Sequence, residues 1–263
     1  MSTRLRESSE VTTNRQRGLP VLNWLGGGRL QKLTFMHDQF YKVLWKLLIE
    51  AGRENNGANH KAGETNGNTK EKRAKKTGYA VAFAGVKEGE GASTMAFNFA
   101  SAFAENSSRS VVLVDGNLGD PVLHHEFEVK KKKGLVDVIA GKATVEDAVT
   151  EVLSKKYYFL QAGETEKNPV TIFESAKFSL LVQKLREQYD LVIFDSPSVL
   201  GSSGTELVAS NMDGLILVVQ ANRTRWEVAR SAKRDLDSAH IRVLGAILNK
   251  QQFIIPEAIY KRL

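Results

Sequence analysis

At 263 residues, 42% of them apolar and 25% charged, the chain is long enough for one α/β domain and an extension. It has no cysteine, which excludes disulfides, thiolate metal sites and cysteine nucleophiles and fits a cytoplasmic setting. The net charge of +7 is unevenly placed: residues 1–77 carry 15 Lys/Arg against 7 Asp/Glu, a net +8, while residues 78–263 carry 22 against 23, a net −1.

The basicity therefore belongs to the leader, which reads either as a solvated, partly disordered extension or as a surface for an anionic partner such as the inner face of the cell membrane. Nucleic acid is not the expected partner. The sequence contains no apolar run of about 18 residues, and its first residues lack the apolar core of a secretory signal.

In chain order, residues 1–32 read as a disordered basic leader, polar and interrupted by Gly18-Leu-Pro20 and Gly26-Gly-Gly28. Residues 33–51 read as an amphipathic helix, with Leu33, Met36, Phe40, Leu44, Leu47 and Leu48 near one face. Residues 52–78 read as a flexible linker ending in the basic run Lys70-Glu-Lys-Arg-Ala-Lys-Lys76. From residue 79 to 263 short apolar runs alternate with helical patterns. Strands are expected at 79–84, 110–114, 157–160, 191–194, 215–219 and 243–248. Helices are expected at 95–104, 135–140, 144–153, 178–188, 207–211 and 225–239. The fold class that follows is α/β, a doubly wound and mostly parallel sheet with an N-terminal helical extension. Ligands of such sheets sit beyond the carboxyl ends of the strands.

The first strand runs into Gly85-Val-Lys-Glu-Gly-Glu-Gly-Ala-Ser-Thr94, and a helix follows. Strand, glycine-rich turn and helix form a phosphate-binding nest: the glycines let backbone N–H groups point inward, and the helix adds its positive end. Gly89, Glu90, Gly91, Ala92, Ser93 and Thr94 are the candidate cofactor-binding residues, with Ser93 or Thr94 supplying a hydroxyl to Mg²⁺. One residue breaks the pattern, because Ala92 stands where the lysine of such loops reaches the β- and γ-phosphates.

Two carboxylates close apolar strands, Asp115 after Val111-Val-Leu-Val114 and Asp195 after Leu191-Val-Ile-Phe194. The second has the Walker B pattern of an acid at a strand tip. With Ser93 they make a candidate magnesium site. His124 and His125, followed by Glu126, could suggest a metal, but residues adjacent on a helix are not expected to face one another, and the pair is read as surface or packing residues. Lys130-Lys-Lys-Lys133 is read as a solvated basic loop. Ser196, Ser198, Ser202 and Ser203 have no triad companions.

On these stretches, residues 79–250 resemble the bacterial tyrosine-kinase (capsular exopolysaccharide) family, within the Min/Par-like branch of P-loop ATPases. The resemblance also covers Val111 to Phe127, similar to that family's Walker A′ segment, and Gly134 to Ala148, similar to the segment after it. It implies a P-loop fold and ATP or ADP with Mg²⁺ as cofactor. It also implies a cytoplasmic protein, peripheral at the inner membrane face, working with a membrane polysaccharide co-polymerase and able to form homo-oligomers. By resemblance, Asp115 is a catalytic base for a tyrosine hydroxyl, Asp195 and Ser93 hold the metal, and Asn249 contacts adenine. Lys87 matches the extra lysine of Min/Par-type ATPases and is the candidate substitute for the missing one.

Departures accompany the matches. Asn117 replaces the second A′ acid, Gly119 stands where the family has arginine, and the C-terminal stretch has the single tyrosine Tyr260 rather than a cluster. The expectation is a degenerate, pseudokinase-like regulator of exopolysaccharide or capsule synthesis and export. The alternatives are an active tyrosine autokinase and a Min/Par-like positioning ATPase.

Overall fold

The computed structural model describes residues 21–23, 77–127, 129, 133–152 and 156–250. Among the described residues eight strands form one sheet: β1 (Val21–Asn23), β2 (Tyr79–Gly85), β3 (Val111–Asp115), β4 (Val149–Glu151), β5 (Tyr157–Leu160), β6 (Leu191–Asp195), β7 (Gly214–Gln220) and β8 (Val243–Asn249). Their order is β1-β8-β7-β2-β6-β3-β5-β4, and every pairing is parallel except β4 with β5. The helices are α1 (Ala92–Asn106), α2 (Leu123–Glu126), α3 (Leu135–Ala140), α4 (Val145–Ala148), α5 (Pro169–Phe173), α6 (Ala176–Gln188), α7 (Gly204–Ala209) and α8 (Trp226–Ser238).

Alternate residues of the central strands feed two separate cores, which is why these strands read as continuous apolar runs. On one face Val81 and Phe83 of β2 pack with Met95, Phe99 and Phe103 of α1. On the other, Ala80, Ala82 and Ala84 pack with residues of α3 to α8, among them Phe178, Leu185 and Leu236. Small alanines on that face of β2 leave room for helices to approach closely, while Phe83 and Phe99 fill the first face with ring centroids 5.8 Å apart. The doubly wound, mostly parallel architecture is the one expected.

The six foreseen strands are all present, and two more join them. Residues 144–153, expected as one helix, split into α4 and the edge strand β4. Thr144 caps α4, its hydroxyl accepting from the Asp147 N–H while Asp147 bonds back to the Thr144 N–H. After one turn, β-branched Val149 and Thr150 leave the helix to pair with Leu160 and Phe159. Strand β1, in the stretch read as leader, pairs in parallel with Ala246 to Leu248 of β8. The expected helix at 33–51, residues 52–76 of the linker expected at 52–78, and residues 251–263, including Tyr260, lie outside the described residues. Among the described residues no helix is long and apolar enough to cross a membrane.

Candidate functional site: a phosphate-loop cavity at the sheet's carboxyl edge

The three central strands β2, β6 and β3 deliver their carboxyl ends side by side. Phe83 is in register with Asp195, and Asp195 with Asp115. The segment after β6 is tied to the start of the loop after β2, since the Ser196, Val199 and Leu200 N–H groups donate to Phe83, Gly85 and Val86 carbonyls at 2.9, 2.9 and 3.1 Å. Between these segments opens a cavity of about 530 Å³. Lys87 to Thr94 line one side of it, Asn117, Gly119 and Asp120 another, and Ser196 and Ser198 a third. The structure thus brings the glycine loop, the A′ segment and the Walker B segment of the sequence together around one space.

The loop's shape needs its glycines. Gly89 and Gly91 have φ of +76° and +91°, a region L side chains rarely adopt, and a Cβ on Gly91 would come within 2.4 Å of the Asn249 side-chain nitrogen. Gly91 is also the N-cap of α1, and its carbonyl accepts from the Met95 N–H at 3.0 Å. No acidic residue stands in the first turn of α1, and its first residues Ala92, Ser93 and Thr94 line the cavity with the positive end of the helix.

Three side chains hold the loop in place. The carboxylate of Glu90, 2% exposed, accepts from the Val86 N–H at 2.7 Å and the Lys87 N–H at 3.1 Å, and also from the Thr224 hydroxyl. From the tip of β8, Asn249 donates to the Glu90 carbonyl at 2.8 Å, and Lys250 Nζ donates to the Gly89 carbonyl at 2.6 Å. The Asn249 carbonyl oxygen accepts from the Lys250 N–H. Thr224 and Lys250 were not singled out in the sequence, although both stand just past the carboxyl ends of strands, where site residues of such sheets collect.

Asp115 and Asp195 are fully buried. Asp115 accepts from the Leu123 N–H at 3.3 Å through one oxygen only. Its other oxygen, both oxygens of Asp195 and the hydroxyls of Ser196 and Ser198 have no hydrogen-bond partner of good geometry among the described residues. Burial pushes Asp115 up to about 7, against the pull of the Leu123 and Asn117 N–H groups. Burial, and then the neighbouring Asp115, hold Asp195 well above the carboxylate range, while the Ser93 hydroxyl pulls the other way. Unpaired buried carboxylate oxygens are costly, and a divalent cation is the usual partner that removes such a cost. The donor set of Asp195, Asp115 and Ser93 therefore fits a hard cation.

The fit to a phosphate chain is partial. The cradle is formed, but Ala92 leaves it without the lysine. Among the described residues that line the cavity the exposed Lys87 is the one cation, against Glu88, Glu90 and Asp120. At Gly119, where the resembled family has arginine, a Cβ would meet nothing within 4 Å, so the absence of that side chain is not imposed by space. Thr94 is exposed and Ser93 half-buried, which favours Ser93 as the metal hydroxyl. His124 and His125 do touch, with ring centroids 3.9 Å apart, although residues adjacent on a helix were not expected to face each other. Lys130 to Lys132 lie outside the described residues.

The comparisons with known proteins agree with this geometry. Residues 79–242 match the family model for the cellulose biosynthesis protein BcsQ. The tyrosine-protein kinase YwqD of Bacillus subtilis is 34% identical over 161 residues, 61% of this chain and 68% of its own length. The crystal structure of the chimerical protein CapA2B2 superposes with a TM-score of 0.73 over 90% of this chain and 96% of that one, at 20% identity. The septum site-determining protein MinD of Pyrococcus horikoshii, solved with Mg-ADP, superposes at 0.57 over 70% and 76%, at 25% identity. With a family model spanning most of the sheet, a kinase relative along the same residues and the P-loop cradle in place, the chain belongs to the bacterial tyrosine-kinase family of the Min/Par-like P-loop branch, with an altered Walker A loop.

Proposed function

We propose that this protein is a regulatory subunit of a capsule or exopolysaccharide synthesis and export system. It acts at the cytoplasmic face of the membrane beside a polysaccharide co-polymerase, and phosphoryl transfer at its nucleotide site is weakened or lost. The observation that carries this reading is a phosphate loop clamped into shape at Gly89 and Glu90 but with alanine in the lysine position. A fixed positive charge is missing where charge must be stabilised, a deficit of about 3 kcal/mol, or roughly 10²–10³ in rate.

ATP or ADP with Mg²⁺ is the proposed ligand, the metal ion supplying charge neutralisation between phosphates when bound. Asp195, Asp115 and Ser93 would hold it, the backbone of Gly89 to Thr94 would hold the phosphates, and Asn249 would border the base. Asp115 is also the proposed base for a tyrosine hydroxyl; burial pushes its carboxyl up to about 7 in the metal-free protein, and a bound cation would lower it.

Calorimetry with Mg·ATP and Mg·ADP tests the reading, using wild type, Ala92→Lys and Asp195→Ala. Weak or absent wild-type binding that Ala92→Lys strengthens roughly tenfold or more, with no phosphotyrosine formed by wild type, is expected. Tight wild-type binding abolished by Asp195→Ala, with turnover, would overturn it. A second reading, an active autokinase, is favoured by one observation, that Lys87 lines the cavity from its rim. It predicts phosphotyrosine after incubation with ATP, lost in Lys87→Ala.

A further inference from the structure

Outside the cavity the most distinctive surface is the outward side of α8 and the loop before it. Arg223, Arg225, Arg230 and Arg234 are all exposed, Arg225 to 81% of its side chain. Trp226 is 55% exposed, with the Arg230 guanidinium 5.6 Å over its ring. Glu227, 3.6 Å from Arg225, and the exposed Asp235 and Asp237, the latter 2.6 Å from Lys233, offset this charge in part. Residues 78–263 as a whole carry a net −1, so this is a local concentration and not a general basicity. Inward, α8 is anchored by Ala232 and Leu236, so the exposed arginines are not part of the core.

We propose that this face of α8 docks an acidic segment of a partner protein, with Trp226 as its apolar anchor and Arg225, Arg230 and Arg234 pairing with carboxylates. Tryptophan and arginine are the side chains that carry most of the energy at protein interfaces. Guanidinium forks match carboxylates two bonds at a time, which a lysine surface would not do. The stripe from Trp226 to Arg234 runs about 12 Å along one helix, the reach of a short peptide segment. A single exposed ring is too small an apolar face to enter a bilayer, which argues against a lipid surface.

The position of the stripe gives it reach into the rest of the molecule. Thr224, between Arg223 and Arg225, donates its hydroxyl to Glu90 beneath the phosphate loop. A segment docked here would lie beside the cavity. The inference does not depend on whether the cavity takes nucleotide.

The test is fluorescence anisotropy of a short fluorescein-labelled glutamate-rich peptide titrated with the full chain. Vesicles containing phosphatidylserine and a DNA duplex are run as competing probes. Arg225→Glu/Arg230→Glu should weaken peptide binding by roughly tenfold or more, and Trp226→Ala by about threefold. Circular dichroism checks the fold, and Arg225→Gln/Arg230→Gln replaces the charge reversal if that variant misfolds. Peptide binding unchanged in these variants would place the charge effect in the basic residues 1–77 and overturn the proposal. So would the absence of saturable peptide binding, or a dependence on Arg225 and Arg230 shown only by vesicles or DNA.

Discussion

The residue with the most consequential surroundings is Asp115. It stands beside Asp195 on the neighbouring strand, buried, with one oxygen unpaired, and is held at about 7 mainly by burial. In the unfolded chain its carboxyl returns to the ordinary value of 3.8. Between those two values the folded protein binds a proton that the unfolded chain has lost. The stability from this group is therefore fully present below about pH 4 and is lost as pH rises through about 7. Asp195 is shifted in the same direction and deepens the slope. Asp115→Asn keeps a carbonyl oxygen for the Leu123 N–H and removes the charge. It should be more stable than wild type at pH 8, by on the order of 2–4 kcal/mol, and nearly equal at pH 4. Urea midpoints at the two pH values, without divalent cations, check this. Parallel pH profiles for the two proteins would show that Asp115 does not titrate in this window. The pairing behind the prediction was readable in the sequence only as two acids at strand ends. That they are neighbours depends on β6 lying between β2 and β3, and no residue pattern states that order.

At the scale of an element, the phosphate loop is held from three directions. Glu90 gathers the Val86 and Lys87 N–H groups and the Thr224 hydroxyl, while Asn249 and Lys250 take the Glu90 and Gly89 carbonyls. The glycines and the alanine were legible because glycine spacing and a missing lysine are local facts. The clamp was not, because Thr224 and Asn249 come from elements more than a hundred residues away in the chain. The split of residues 144–153 into α4 and β4 escaped for a related reason: apolar spacing over so few residues suits either state, and the partner strand β5 decides. Glu90→Ala leaves the Lys87 N–H and the Thr224 hydroxyl without their acceptor, while the Val86 N–H keeps the Val218 carbonyl at 3.0 Å. It should cost about 1–3 kcal/mol and raise hydrogen exchange at Lys87 by more than tenfold while α6 stays protected. If exchange at Lys87 is unchanged, the loop owes its shape to its glycines and to the β8 tip alone.

For the whole molecule, the alternation of apolar runs and helices from residue 79 onward revealed the doubly wound plan, since strands buried on both faces must be apolar throughout. The sheet's outer margin was less visible. Val21-Leu-Asn23 is too short to announce itself and sits in a polar stretch, yet it lies beside Ala246, Ile247 and Leu248 of β8. Without it β8 becomes an edge, with unpaired N–H and C=O groups along a largely apolar strand, the arrangement that invites pairing with another chain. Deleting residues 1–77 therefore does more than remove a net charge of +8. The shortened body should unfold about 1–3 kcal/mol more easily, from the loss of a few ladder hydrogen bonds. It should also self-associate at concentrations where the full chain does not. Sedimentation velocity and denaturant midpoints of the two proteins at high salt, where the charge difference is screened, separate the two effects. A second deletion, of residues 1–20 alone, removes part of the basic charge but keeps β1, and it should behave as the full chain does. Were both deletions to match the full chain in stability and in sedimentation, β1 would contribute nothing to the sheet. Were both to associate equally, the exposed edge of β8 would not be the cause.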